Sequence, residues 1–123
     1  MKLPFVLILA STYMALLGLG FVFAPQIIGI DAVPVDASPA LVAFLRMPGP
    51  AFIAIAVLNF LARNSEASPA RNAIVVANIV GFSLAAVFNV VAVLTGGRYI
   101  ALAFAAVHVT FAVLFIVTGR SKI

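Results

Sequence analysis

Four long apolar stretches account for most of the 123-residue chain, and only two side chains able to carry a charge near neutral pH, Arg46 and His108, fall inside them. The stretches run at about 3–23, 40–62, 72–94 and 100–118. Each is close to the ~20 residues needed to cross ~30 Å of hydrocarbon. A chain of this pattern reads as all-α, an integral membrane four-helix bundle in a single domain. Charged residues make up 8% and hydrophobic residues 66% of the sequence, too few charges to cover an aqueous surface. The bilayer is the expected solvent.

The breaks between stretches carry loop chemistry. The first, about 24–39, holds Pro25, Gly29, Pro34 and Pro39 together with Asp31 and Asp36, and proline at that density stops a continuous helix. Within it, Gln26 to Ile30 is apolar enough for a short helical turn lying along the interface. In the second break Ser68 is placed to cap the third helix, with Pro69 at its first position. The third is the tight Thr95-Gly96-Gly97-Arg98 turn. Connections this short make consecutive helices antiparallel neighbours, so the expected topology is up-down-up-down. Lys2, Arg63, Arg71, Arg120 and Lys122 fall on one side, whereas Arg98 is the only cation in the loops on the other. The positive-inside rule therefore places both termini in the cytoplasm. The stretch after Lys2 exceeds the 7–15 residues of a signal-peptide core and is followed by Pro25, so it is expected to be a retained helix and not a cleaved signal.

The formal charge of +4 does not indicate nucleic acid, because the cations sit at helix ends and form no basic stripe interleaved with aromatics. Without cysteine there is no disulfide or thiolate chemistry. Asp31, Asp36 and Glu66 all lie in loops, so a proton-coupled carrier lacks its membrane carboxylate. One histidine and no paired acids supply neither a multi-ligand metal site nor a catalytic triad. An enzyme is not expected, and no cofactor is required.

Arg46, Asn89, His108, Tyr13, Phe104 and Phe111 remain as candidate ligand- or lipid-binding residues. Arg46 lies about 9 Å deep at 1.5 Å per residue, within reach of the headgroups by snorkelling. It is either an interface anchor paired with Asp31, Asp36 or lipid, or an inward-facing fork for an anionic group. The following Met47-Pro48-Gly49-Pro50 must disturb the helix, since Pro48 and Pro50 free the carbonyls of Phe44 and Arg46. Asn89 matches Arg46 in depth, so the two are candidates for one outward-facing pocket. Asn78 and Asn89 share a face, and either is equally an interhelical hydrogen bond. Ala73, Ala77, Gly81 and Ala85 recur every fourth residue, a small-residue ridge for close helix packing.

His108 shares one face of the fourth helix with Phe104, Phe111 and Phe115. Such a face can ligate a tetrapyrrole metal or hydrogen-bond a quinone, and it is also what a neutral core histidine bonded to Tyr13 or Thr110 looks like.

The Ala24-Pro25 exit from the first helix, Leu45-Arg46-Met47-Pro48-Gly49 in the second and the segment from His108 to Arg120 resemble the DoxX-like and related small bacterial four-helix inner-membrane proteins. The resemblance implies a four-helix bundle in a cell inner membrane and supplies no substrate. Taken together, the sequence suggests a non-catalytic membrane protein, an accessory subunit of a larger complex or a binder of a lipid-like ligand, whose partners are the bilayer and other membrane subunits or copies of itself. The rival reading is a small oligomeric transporter or channel with a path near Arg46 and Asn89.

Overall fold

A computed structural model of the chain describes residues 1–29 and 33–119. Ile30, Asp31, Arg120 and Lys122, which enter the loop and charge arguments above, lie outside the described residues. Every regular element among the described residues is helical: α1 (Leu3–Phe23), α2 (Pro25–Ile28), α3 (Pro39–Arg46), α4 (Pro48–Ala62), α5 (Pro69–Leu94) and α6 (Ile100–Gly119). Among the described residues four helical stretches, Leu3–Phe23, Pro39–Ala62, Pro69–Leu94 and Ile100–Gly119, are long and apolar enough to cross a membrane.

The local signals act as their chemistry requires. The Ser68 side chain accepts a hydrogen bond from the Arg71 N–H at 3.2 Å, and Pro69 occupies the first turn, where its missing N–H costs nothing. α5 consequently starts three residues before the apolar run itself. Where a short turn was expected over Gln26 to Ile30, α2 covers Pro25–Ile28. The second apolar stretch is interrupted at Met47, as Pro48 and Pro50 dictate. Pro48 cannot donate to Phe44 O, and the Met47 N–H takes that carbonyl instead at 3.1 Å, a tighter three-residue turn. Met47 keeps right-handed helical dihedrals (φ −58°, ψ −38°).

The chain divides into two compact units, residues 7–61 and residues 1–6 with 62–123. In the first, α1 and α4 make a backbone-close crossing at glycines. A Cβ added to Gly18 would stand 2.9 Å from Gly49 O, and one added to Gly49 would stand 2.8 Å from Gly18 O. Each glycine is thus the space the other helix occupies. Around this crossing Phe21 stacks on Phe52 with centroids 5.7 Å apart, and buried Ser11 donates to Ala56 O at 2.7 Å. A hydroxyl in hydrocarbon needs such a partner. The contacts pair low numbers on α1 with high numbers on α4, so the two helices are antiparallel.

In the second unit α5 packs on α6. The Gly96 hairpin between them closes with the Gly97 N–H on Ala92 O and the Gly96 N–H on Val93 O, the paired bonds of a Schellman ending. Gly96 has φ +92°, open to glycine and strained for other residues. A Cβ on Gly97 would run into the Ala92 carbonyl. The α5 face buried in the unit is Arg71, Val75, Asn78, Phe82 and Ala86, and α6 answers with Ala105, His108, Ala112, Phe115 and Thr118. Spacings of three and four on both helices make a continuous seam.

The seam lies to one side of the small-residue ridge. The small-residue ridge of α5 is not what packs α5 on α6: Ala73, Ala77 and Gly81 are exposed, Ala85 is half-buried, and a Cβ on Gly81 would meet nothing within 4 Å. The wholly buried Phe82 ring makes more van der Waals contact in the seam than a row of methyl groups, and such packing holds helices together in lipid.

Candidate functional site

The polar centre of the second unit is the pair Asn89 and His108. Both were singled out in the sequence, and the structure brings them to each other. The Asn89 amide nitrogen donates to Ala85 O at 2.7 Å on its own helix and stands 3.3 Å from His108 Nδ1 across the hairpin. The carbonyl of Ala85 is an acceptor only, which fixes the NH₂ group and not the oxygen of Asn89 at this point. Its second hydrogen then faces Nδ1. A hydrogen bond from that NH₂ calls for an unprotonated Nδ1, the Nε2–H form of the imidazole.

The His108 ring is buried at 8% exposure. It lies 5.8 Å, centroid to centroid, from Phe82, and Phe82 also stacks on Phe111 at 4.7 Å and on Phe115 at 6.1 Å. Phe82, wholly buried, is therefore the hub of the cluster. The α6 rings that share a face with His108 divide: Phe111 and Phe115 enter the core against Phe82, whereas Phe104, one turn nearer the hairpin, is exposed. Thr110 does not serve His108. Its hydroxyl donates to Ala106 O at 2.8 Å on the exposed side of α6. The arrangement is an imidazole held in one tautomer within an aromatic core. Nδ1, the nitrogen engaged by Asn89, is not open to a metal or a quinone.

Asn78, one turn before Phe82, is buried and donates to Ile74 O at 2.8 Å. In the other unit Arg46 ends α3 and is exposed, as is Asp36, while Tyr13 is half-buried on α1. Both amide hydrogens of Asn89 are committed within its own unit, so a recognition role for Asn89 rests on its oxygen alone.

Sequence reasoning missed Phe82, Ser11 and Asn59, the last wholly buried on α4. Phe82 had a usable signal: it stands four residues after Asn78 and seven before Asn89, on the face those two asparagines define. Ser11 and Asn59 had none beyond being polar within apolar runs. Among the described residues no three His, Cys, Asp or Glu side chains gather as a metal site would require. No family model, no curated protein and no solved structure matches the chain.

Proposed function

We propose that the chain is a non-catalytic, multi-pass inner-membrane protein that works as an accessory subunit of a larger membrane assembly, with both termini cytoplasmic and the Asp31/Asp36 loop on the opposite side. The observation that carries this reading is the α5 ridge of Ala73, Ala77 and Gly81. It is exposed, and Gly81 has open space where a side chain would be. In lipid, where apolar side chains gain nothing by leaving the acyl chains, helices associate through small residues that let backbones approach. The chain already makes one such approach internally, at Gly18 and Gly49. A second small-residue surface left open is suited to a helix from another membrane subunit or another copy of the chain.

The polar groups of the core support a structural role. Asn89, His108, Ser11 and Asn78 answer internal partners, as groups in hydrocarbon must. Exposed Arg46 fits the interface-anchor reading, its guanidinium reaching headgroups or acidic loop residues. The resemblance to DoxX-like proteins accords with a four-helix inner-membrane bundle and names no substrate. Replacing Ala77 and Gly81 by leucine tests the proposal: the chain should fold and insert as before while its partner, or its second copy, no longer co-purifies. Unchanged co-purification would remove the ridge from the account.

A further inference from the structure

We propose that the cation-rich end of the second unit holds a binding site for a phosphate group. A cavity of about 640 Å³ opens there, lined by Lys2, Arg63, Ser65, Glu66, Arg71 and Thr118 among others. That volume lies within the ~300–1,000 Å³ of small-molecule sites. Three cations face one carboxylate around it. The lining residues come from the start of α1, the segment after α4, the start of α5 and the end of α6. These are the places where the apolar spans stop, so the cavity lies at the depth of lipid headgroups.

Arg71 separates this site from cations that merely set topology. Such cations are expected to be solvated, as exposed Lys2 is. Arg71 is 8% exposed. Its Nη1 donates to Ser65 O at 3.1 Å, and its Nε is buried with no hydrogen-bond partner. A buried charged donor left unsatisfied costs about 1–3 kcal/mol or more, and a guanidinium edge is shaped to give parallel hydrogen bonds to two oxygens of one anion. The positive end of the 26-residue α5 points into the same region and adds to the attraction for an anion. A buried fork with an unused donor, Lys2 and Arg63 in the same lining and a cavity larger than phosphate itself together describe a seat for a phosphomonoester or phosphodiester. The group arrives either on a lipid headgroup or as a soluble phosphate. The site is separate from the α5 ridge, and its occupancy does not depend on subunit association.

The test uses the full chain in nanodiscs and in neutral detergent. In nanodiscs of mixed phosphatidylcholine and phosphatidylglycerol, native mass spectrometry of the released protein should show phosphatidylglycerol retained in preference. Lys2→Gln should lower that retention about fivefold, the contribution of one cation near a membrane surface, and Arg71→Gln by about tenfold or more. Arg98→Gln, at the other end of the hairpin, should leave it unchanged. In neutral detergent, a rise in Tm with inorganic phosphate but not with chloride at equal ionic strength assigns the site to soluble phosphate. A rise with phosphatidylglycerol alone assigns it to a headgroup. Lys2→Gln, an exposed position, keeps the test decisive if Arg71→Gln does not fold. The proposal is overturned if wild type shows neither lipid preference nor phosphate stabilisation, or if Arg98→Gln weakens binding as much as Lys2→Gln does.

Discussion

Gly18 and Gly49 each stand where the other's side chain would be, with the α1 and α4 backbones in contact at that point. A methyl group on either must push the helices apart, and overpacking of this kind costs about 1–3 kcal/mol. Gly18→Ala and Gly49→Ala should each lower the thermal stability of the detergent-solubilised protein. Gly81→Ala, with nothing within 4 Å of its Cβ, should leave stability unchanged or raise it by up to about 1 kcal/mol through helix propensity. Equal effects at all three positions would mean that the α1–α4 crossing is not glycine-dependent.

The Asn89–His108 contact predicts a coupling that a double-mutant cycle can measure. Asn89→Leu leaves the Nδ1 of a buried imidazole unanswered, and His108→Phe leaves one Asn89 hydrogen without its acceptor. Each single change should destabilise, while the double change should recover about 0.6 kcal/mol of the summed loss and at most about 1.7, the mean and maximum measured for polar pairs between membrane helices. Strict additivity would show that the two side chains do not interact.

At the hairpin, Gly96→Ala should destabilise by about 1 kcal/mol, because φ +92° is strained for a residue with a Cβ. The loss should appear in the unfolding of the α5–α6 unit, monitored by hydrogen exchange at the ends of both helices.

Topology is accessible because the chain has no native cysteine. With cytoplasmic termini, Ser38→Cys should react with a membrane-impermeant maleimide in intact cells, and Ser121→Cys only after permeabilisation. The opposite pattern would invert the orientation drawn from the cation bias.

Much of the architecture was legible because the signals were local. The spans follow from hydropathy, the start of α5 from Ser68 and Pro69, and the break at Met47 from two prolines that remove specific donors. Asn89 and His108 were also legible as individuals, but their pairing was not. A sequence fixes depth along each helix through the 1.5 Å rise, whereas the rotation of one helix against its neighbour depends on which large ring is buried. Phe82 sets that rotation. It places Asn89 against His108 within the unit, a pairing that depth along each helix did not indicate, while Thr110 bonds Ala106 O instead. The same rotation turned the alanine ridge outward. Gly18 and Gly49 lie on different helices and form no spacing pattern, so their crossing left no trace in the sequence. Arg71 was read as a topological charge because burial of a cation at a helix end is a property of the packed unit.

The proposed role as part of a membrane assembly has a direct test. Native mass spectrometry after gentle extraction from its own membrane addresses it most directly. The expected mass exceeds one chain by a defined second subunit, another copy or a different membrane protein, and the excess is lost when Ala77 and Gly81 are replaced by leucine. A bare monomer, stable and unaccompanied across mild detergents, would contradict it.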